Sequence, residues 1–156
     1  ILQQFGIKNN AEGAAFFVMS LQPPYTKAVC IKEILTLTTK DKNELTKEIK
    51  ALFNRNQCNQ EFIDTVLLGI NADDPAQPIY EYLQETIFAN ASQYSFKNYS
   101  GEYPTATAFA LGLLQSSVDT TLPGSCKLHH VNKLMKNVMI VNHYLDYWSV
   151  WMLTVE

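Results

Sequence analysis

Arginine is almost missing from this sequence: Arg55 is the only one among 12 basic side chains, against 15 acidic ones. The formal net charge is −3. Proteins that bind nucleic acid or phosphate-rich partners need clustered cations, so the composition argues against both. The sequence also lacks any apolar run approaching the roughly 18 residues that a membrane-spanning helix requires. We therefore expect neither a nucleic-acid partner nor a membrane span.

Cysteine is scarce, and its three positions, Cys30, Cys58 and Cys126, form no C-x-x-C pair. That spacing excludes a thioredoxin-type redox motif and a zinc knuckle. An odd number leaves at least one thiol without an internal partner. Two interpretations stay open here: buried structural thiols, or one internal disulfide plus a cysteine whose partner lies in another segment or chain.

Motifs of the common enzyme classes are missing as well. The sequence contains no G-x-S-x-G, P-loop, H-E-x-x-H or dinucleotide-binding fingerprint. The neighbours His129 and His130 would point about 100° apart on a helix and could not easily share an ion. We expect these two and His143 to be solvated or packed, and we expect Asp73-Asp74 before a proline to form a turn. The sequence predicts no metal site.

What the sequence does have is apolar residues at helical spacing. Hydrophobic residues make up 47% of 156 residues, enough for one domain with a sizeable core. The spacing predicts about seven short helices. Their apolar stripes are Ala11–Val18, Cys30–Leu37, Leu45–Phe53, Phe62–Ile70, Ile79–Ile87, Ala106–Leu114 and Val131–Val138. Asp41 is a candidate cap for the third of these helices, and Pro78 suits the first turn of the fifth.

The end of the chain is ambiguous. Aromatic residues between 144 and 155 match helical spacing, yet Val150–Val155 is also a good β run, and we favour a strand. We therefore predict an all-α fold, an array of helical hairpins over residues 1–147. Residues 148–156 would form a tail or the start of a β-domain.

Two N-glycosylation sequons lie close together, at Asn90 and Asn98. Their proximity favours an exposed loop over residues 91–101 in a secreted glycoprotein. The first residue is Ile1, and we expect a processed or partial chain from which any signal peptide is gone.

Two polar segments at predicted helix starts are candidate ligand contacts. Asp64 and Thr65 begin an otherwise apolar helix, where a carboxylate interacts favourably with the helix N-terminus or contacts a ligand. Glu102, Tyr103 and Thr105 stand at another helix start. If the two helices run in the same direction, these residues face one shared hollow.

The order of these motifs resembles the eukaryotic cobalamin carriers: transcobalamin, intrinsic factor and haptocorrin. The segment FIDTVLLG at 62–69 is similar to the carriers' V-D-T-A-A-M-A-G helix, and GEYPT at 101–105 is similar to their G-N-V-Y-S-T segment. The segment LPGSCK at 122–127 resembles a cysteine-containing loop of the family, and HYLD at 143–146 resembles the T-Y-L-D that closes its helical domain.

The resemblance implies part of an α/α toroid that carries cobalamin as a transport protein, with Asp64, Thr65, Tyr103 and Thr105 holding the corrin side groups. In the family the partner of the cysteine equivalent to Cys126 lies near the amino terminus, and no cysteine precedes Cys30 here. We predict a Cys30–Cys58 disulfide. Seven helices make about half a ring, so the resemblance also implies a second chain or copy that covers the open array.

Three functions follow, of which the first is preferred: a secreted, non-enzymatic protein that binds a corrinoid or another small ligand. The alternative is a divergent relative that has lost its ligand and acts as a structural or protein-interaction component. An enzyme, with Asp64 and Glu102 as an acid/base pair about 6.5–9.5 Å apart, is the least favoured.

Overall fold

A computed structural model describes residues 19–21, 28–71, 74–118, 121–131 and 133–156 of the chain. This part contains four α-helices: α1 (Lys42–Arg55), α2 (Gln77–Thr86), α3 (Lys97–Ser100) and α4 (Ala106–Ser116). It also contains six strands: β1 (Val29–Thr38), β2 (Thr65–Leu68), β3 (Ser92–Ser95), β4 (Lys127–His129), β5 (Asn137–Tyr144) and β6 (Tyr147–Val155).

The six strands form one mixed sheet in the order β1-β6-β5-β2-β3-β4. Its centre is parallel, because β2 pairs in parallel with both β5 and β3. The remaining strands pair antiparallel, β1 and β6 on one side and β4 on the other. The carboxyl ends of β5, β2 and β3 therefore meet at one edge, which we call the carboxyl edge.

Helices cover both faces of the sheet. On one face, α1 and α2 pack on the sheet through a buried cluster that includes Leu45, Leu83 and Trp148. On the other face, α4 packs through Ala106, Ala110 and Leu114. Both faces of the central strand β2 are therefore buried, and its four residues have at most 3% exposure.

The all-α prediction is wrong: the chain has a mixed α/β fold. Where we predicted helices over Cys30–Leu37, Phe62–Ile70 and Val131–Val138, the described chain forms β1, β2 and the start of β5. Strand β2 is buried on both faces and has no polar side to reveal its period, so it looks like a buried helix. Strand β1 does alternate between half-buried and exposed residues, but Cys30, Ile34 and Leu37 also fit helical spacing. The first predicted stripe, Ala11–Val18, lies outside the described residues.

Other predictions are confirmed. Helix α1 begins after Asp41, whose side chain accepts a hydrogen bond from the Asn43 N–H at 2.8 Å. Helix α2 carries Pro78 in its first turn, and α4 forms where its small and apolar residues predict it. The favoured strand at the chain end is β6.

The expected boundary after residue 147 falls inside β6, which lies between β1 and β5 and so belongs to the same sheet. The predicted α/α toroid is wrong for the same reason as the all-α class. The open helical array that we expected a second chain to cover is not formed. In the part of the chain that the structure describes, no helix has the length and apolar character to cross a membrane.

The Cys30–Cys58 disulfide is also wrong, because all three cysteines are free thiols. Cys30 lies on β1, where burial and the nearby Glu156 raise its pKa. Cys58 lies in the turn after α1 and packs against the core. The prediction placed Cys30 on a helix, whereas its segment is an edge strand whose register is set by β6.

Candidate functional site

The loops that leave the carboxyl edge diverge. The chain after β2 leads into α2 on one face of the sheet, whereas the chain after β3 leads through α3 into α4 on the opposite face. In open α/β sheets, ligands bind in the crevice that forms where neighbouring connections leave in opposite directions. This topology predicts a binding site among the residues that follow β2 and β3 and those at the end of β5.

Lys97, directly beyond β3, is a completely buried lysine: its side chain has 0% exposure. Its ammonium donates to both carboxylate oxygens of Glu102, at 2.9 and 2.7 Å, and to the carbonyl oxygen of His143 at 2.6 Å. Burial lowers the pKa of Lys97 below its ordinary value of 10.5, and Glu102 opposes this shift. The side chain links β3 to the end of β5.

Gly69, directly after β2, lies beneath this link. A Cβ atom on Gly69 would stand 2.3 Å from Asn142 Oδ1 and 3.1 Å from Lys97 Cε. The first distance is shorter than a non-bonded contact allows, so the two side chains occupy the space that a larger residue would need. A residue without a side chain is required here because of this close approach.

Asn142, on β5, has a buried side-chain oxygen without a hydrogen-bond partner. The residue is 3% exposed. Among the described residues, its Oδ1 is the one fully buried side-chain oxygen or nitrogen that has no hydrogen-bond partner. Native proteins contain few such atoms, because an unpaired buried acceptor costs about 1–3 kcal/mol.

Asp74 and His143 form a second buried pair at the same edge. Asp74 Oδ1 lies 3.0 Å from His143 Nδ1 and accepts the Ala76 N–H at 2.8 Å. An ionised carboxylate can only accept, so the ring donates through Nδ1 and a neutral ring keeps Nε2 as an acceptor. Burial raises the pKa of Asp74, but the His143 and Ala76 bonds together with the electrostatic effects of His143 and Lys97 outweigh it, so the pKa lies below the ordinary 3.8.

Aromatic rings fix the position of His143. Its ring lies 4.7 Å from the Trp148 ring, centroid to centroid, and the Tyr80 ring lies 5.1 Å from Trp148. The backbone N–H of His143 donates to the Tyr80 hydroxyl at 2.8 Å, and burial raises the pKa of Tyr80 well above its usual value. The imidazole is therefore held rigidly by packing and by Asp74.

The four residues predicted to contact a ligand do not come together. Asp64 lies at the amino end of β2, where its carboxylate accepts from Asn137 N at 2.9 Å and Nδ2 at 3.2 Å. Thr65 is the buried first residue of β2. Tyr103 and Thr105 lie at the other edge, in the loop that leads from α3 to α4, next to Glu102.

The distance between the two groups follows from β5. Asp64 bonds Asn137 at the start of this strand, whereas Glu102 reaches His143, six residues on, through Lys97. Six residues of strand span about 20 Å. Asp64 and Glu102 are thus too far apart for the acid/base pair considered above, and the shared hollow is not formed.

The structure also locates the histidines and the two sequon asparagines named in the sequence analysis. His129 and His130 are exposed and His143 is packed, as expected. Asn90 and Asn98 are exposed, but residues 91–101 are not the predicted loop, because Ser92–Ser95 is the largely buried strand β3. In the described residues, no group of three or more His, Cys, Asp and Glu side chains is placed to hold a metal ion.

No family model, curated protein or solved structure matches this chain.

The sequence analysis missed Gly69, Lys97 and Asn142 at the carboxyl edge, although it named Glu102 and correctly placed Asp74 in a turn. A signal was present in the segment 91–101, where Lys97 is flanked by the aromatic residues Phe96 and Tyr99. A lysine among aromatic residues suits a buried, paired cation as well as a solvated one. The sequons drew the interpretation towards an exposed loop instead.

Proposed function

We propose that this protein is a non-enzymatic binding protein that holds a small polar molecule at the carboxyl edge. The observation that supports it is the unpartnered Asn142 Oδ1, buried beside Lys97 where the loops after β2 and β3 diverge. Polar groups that converge on an otherwise apolar site fix the orientation of a ligand. The Asp74–His143 pair supplies a second polar contact at the same edge.

A competing location is less favourable. A groove of about 470 Å³ runs along α1 and is lined by Asn43, Thr46, Lys47, Lys50, Ala51 and Asn54. Its lining residues in the described chain come from one helix, and its lysines are exposed. Its buried polar residue, Thr46, already donates its hydroxyl to the carbonyl of Lys42 at 2.7 Å.

A corrinoid is one ligand to test. The resemblance to the cobalamin carriers named four contacts, and two of them, Tyr103 and Thr105, lie next to Glu102. The other two, Asp64 and Thr65, lie about 20 Å away at the opposite edge. The geometry therefore favours a ligand smaller than a corrinoid.

The test is a fragment screen by amide NMR, with a corrinoid titration alongside. We expect binders to shift the amide signals of Gly69, Lys97 and His143. Lys97→Met removes the central ammonium and should change the size of these shifts, whereas Lys50→Met, on the α1 groove, should leave them unchanged. Shifts confined to α1, or none with any fragment, would contradict the proposal.

A role in protein interaction is the second candidate, favoured by the turn between β5 and β6. Leu145 stands there with φ 57° and 72% exposure, and the neighbouring Tyr147 is 63% exposed. Exposed apolar residues grouped at one turn are typical of contact sites. Sedimentation velocity tests association with a second copy of the chain. We expect a complex that dissociates in the Leu145→Asn variant. A monomer at every concentration would contradict this role.

Secretion and glycosylation are part of the same proposal, supported by the exposure of Asn90 and Asn98. Expression through a secretory pathway should give a mass that falls on treatment with an N-glycosidase. Asn90→Gln and Asn98→Gln should each remove one glycan. A mass that the enzyme does not change would contradict it.

A further inference from the structure

The hydrogen bonds of Lys97 explain why Asn142 Oδ1 has no partner. A lysine ammonium has three protons, and Lys97 has three acceptors: the two oxygens of Glu102 and the carbonyl of His143. Asn142 Oδ1 and Lys97 Cε both lie close to the Cβ position above Gly69. The nearby ammonium thus has no proton left for this oxygen while Glu102 is bound.

Glu102 is the partner of Lys97 that can leave. Its side chain is 23% exposed, whereas Lys97 is completely buried. Gly101, directly before it, has φ 70°, a region that favours glycine. The third acceptor, the carbonyl of His143, is fixed in β5.

From this arrangement we propose that Glu102 is the ligand-binding carboxylate, and that Asn142 Oδ1 accepts from Lys97 when a ligand takes Glu102 away. The ammonium then keeps two buried acceptors, Asn142 Oδ1 and the carbonyl of His143, while Glu102 is away. The inference rests on the proposed function, because it takes the carboxyl edge as the binding site.

The exchange defines the chemical class of the ligand. A group that replaces Lys97 at Glu102 must donate hydrogen bonds to a carboxylate, which an ammonium or guanidinium group does best. The buried Asp74, paired with His143, adds a second negative charge at the same edge. A small cationic amine fits these groups, whereas a dicarboxylate would face two carboxylates and an unpartnered acceptor.

The first test needs no ligand and measures urea midpoints of combined variants. In the wild-type background, Asn142→Leu removes an unpaired acceptor and should leave the midpoint unchanged or raise it. In Glu102→Ala, where Lys97 depends on Asn142, the same change should lower the midpoint, and Asn142→Asp should raise it. The inference is overturned if Asn142→Leu has the same effect in both backgrounds.

Glu102→Gln serves as a second background in case Glu102→Ala does not fold. Glu102→Gln keeps one acceptor for Lys97, so the effect of Asn142→Leu should have the same sign and a smaller size. Equal midpoint changes in Glu102→Gln and in the wild type would again overturn the inference.

The second test uses putrescine and succinate as probes, followed by the amide signal of Gly101. We expect putrescine to shift this signal in the wild type, a loss of the shift in Glu102→Gln, and weaker binding in Asn142→Leu. Succinate should have no effect. Succinate binding, or no response to putrescine, overturns the cationic class. If other fragments still bind at the carboxyl edge, the proposed binding function is retained and only the inference is wrong. If no fragment binds there, both are wrong.

Discussion

The ammonium of Lys97 lies 2.6 Å from the carbonyl oxygen of His143, although Lys97 follows β3 and His143 lies on β5, with β2 between these two strands. The lysine side chain crosses the end of β2 above Gly69 to make this bond. One side chain thus links the segment after β3 to β5 across β2, in addition to the backbone ladder. The energetic consequences can be tested separately for the lysine, the glycine and the neighbouring carboxylate.

Lys97→Met should destabilise the protein by about 2–3 kcal/mol, since it leaves the Glu102 carboxylate and the His143 carbonyl without their donor. The cost is below that of a fully buried pair because Glu102 is partly exposed and can turn to water. Urea unfolding measures the change. Lys40→Met is the control: it removes an exposed ion pair with Asp146 and should cost less than about 0.5 kcal/mol. Equal losses in the two variants would contradict a buried link.

Gly69→Ala should destabilise the protein by about 1–3 kcal/mol, because the added methyl group enters the space of Asn142. Gly124→Ala is the matched control. A Cβ at Gly124 would meet nothing within 4 Å, so this change should be neutral or stabilise by up to about 1 kcal/mol through the unfolded state. If thermal unfolding ranks the two variants in the opposite order, the packing described above Gly69 is wrong.

The sequence predicted the helices whose burial is one-sided. Leu45, Ile49 and Leu52 recur along one stripe of α1 because its other side faces solvent, and that asymmetry is visible in the sequence. Leu67 and Leu68, in contrast, point to opposite faces of β2, and both are completely buried. A strand covered on both faces loses its alternation, so periodicity could not identify it.

Residue type indicated a strand in a segment where periodicity did not. The segment that forms β5 contains Val138, Ile140 and Val141, which are β-branched and favour strands. The carboxyl-edge cluster was harder to predict, because it depends on strand order. Lys97 and His143 are 46 positions apart, and no local pattern indicates that β2 lies between their strands.

The stability of the protein should fall in acid through Asp74. Its folded-state pKa lies below the ordinary 3.8, so it contributes stability that is complete above that value and is lost as pH falls through the folded pKa. Urea midpoints measured from about pH 5 to pH 2 should therefore drop less in Asp74→Asn than in the wild type. Asp146→Asn removes an exposed carboxylate and serves as the control. A wild-type slope that persists in Asp74→Asn would show that other groups cause the acid loss.

All three cysteines should react as thiols in denaturant without a reductant, since each is free in the fold. In the native protein Cys126 should react most slowly, because it is 1% exposed and burial raises its pKa. Titration with a thiol reagent counts them, and Cys126→Ser assigns the slow one. A count of one in denaturant would restore an internal disulfide.

Leu145→Asn should stabilise the protein by about 1 kcal/mol, because Leu145 holds φ 57° in the turn between β5 and β6. Left-handed backbone is costly for leucine and tolerated by asparagine, whose short polar side chain bonds locally. Little burial is lost, since the leucine side chain is already largely in solvent. Leu134→Asn is the control: that leucine is 85% exposed and has no positive φ, so its replacement should change stability by less than about 0.5 kcal/mol. A gain at 145 that is absent at 134 would mean that the protein keeps a strained, exposed leucine at a cost in stability, which is the expectation if this turn contacts a partner. Equal changes at both positions would remove backbone strain as an argument for that interaction.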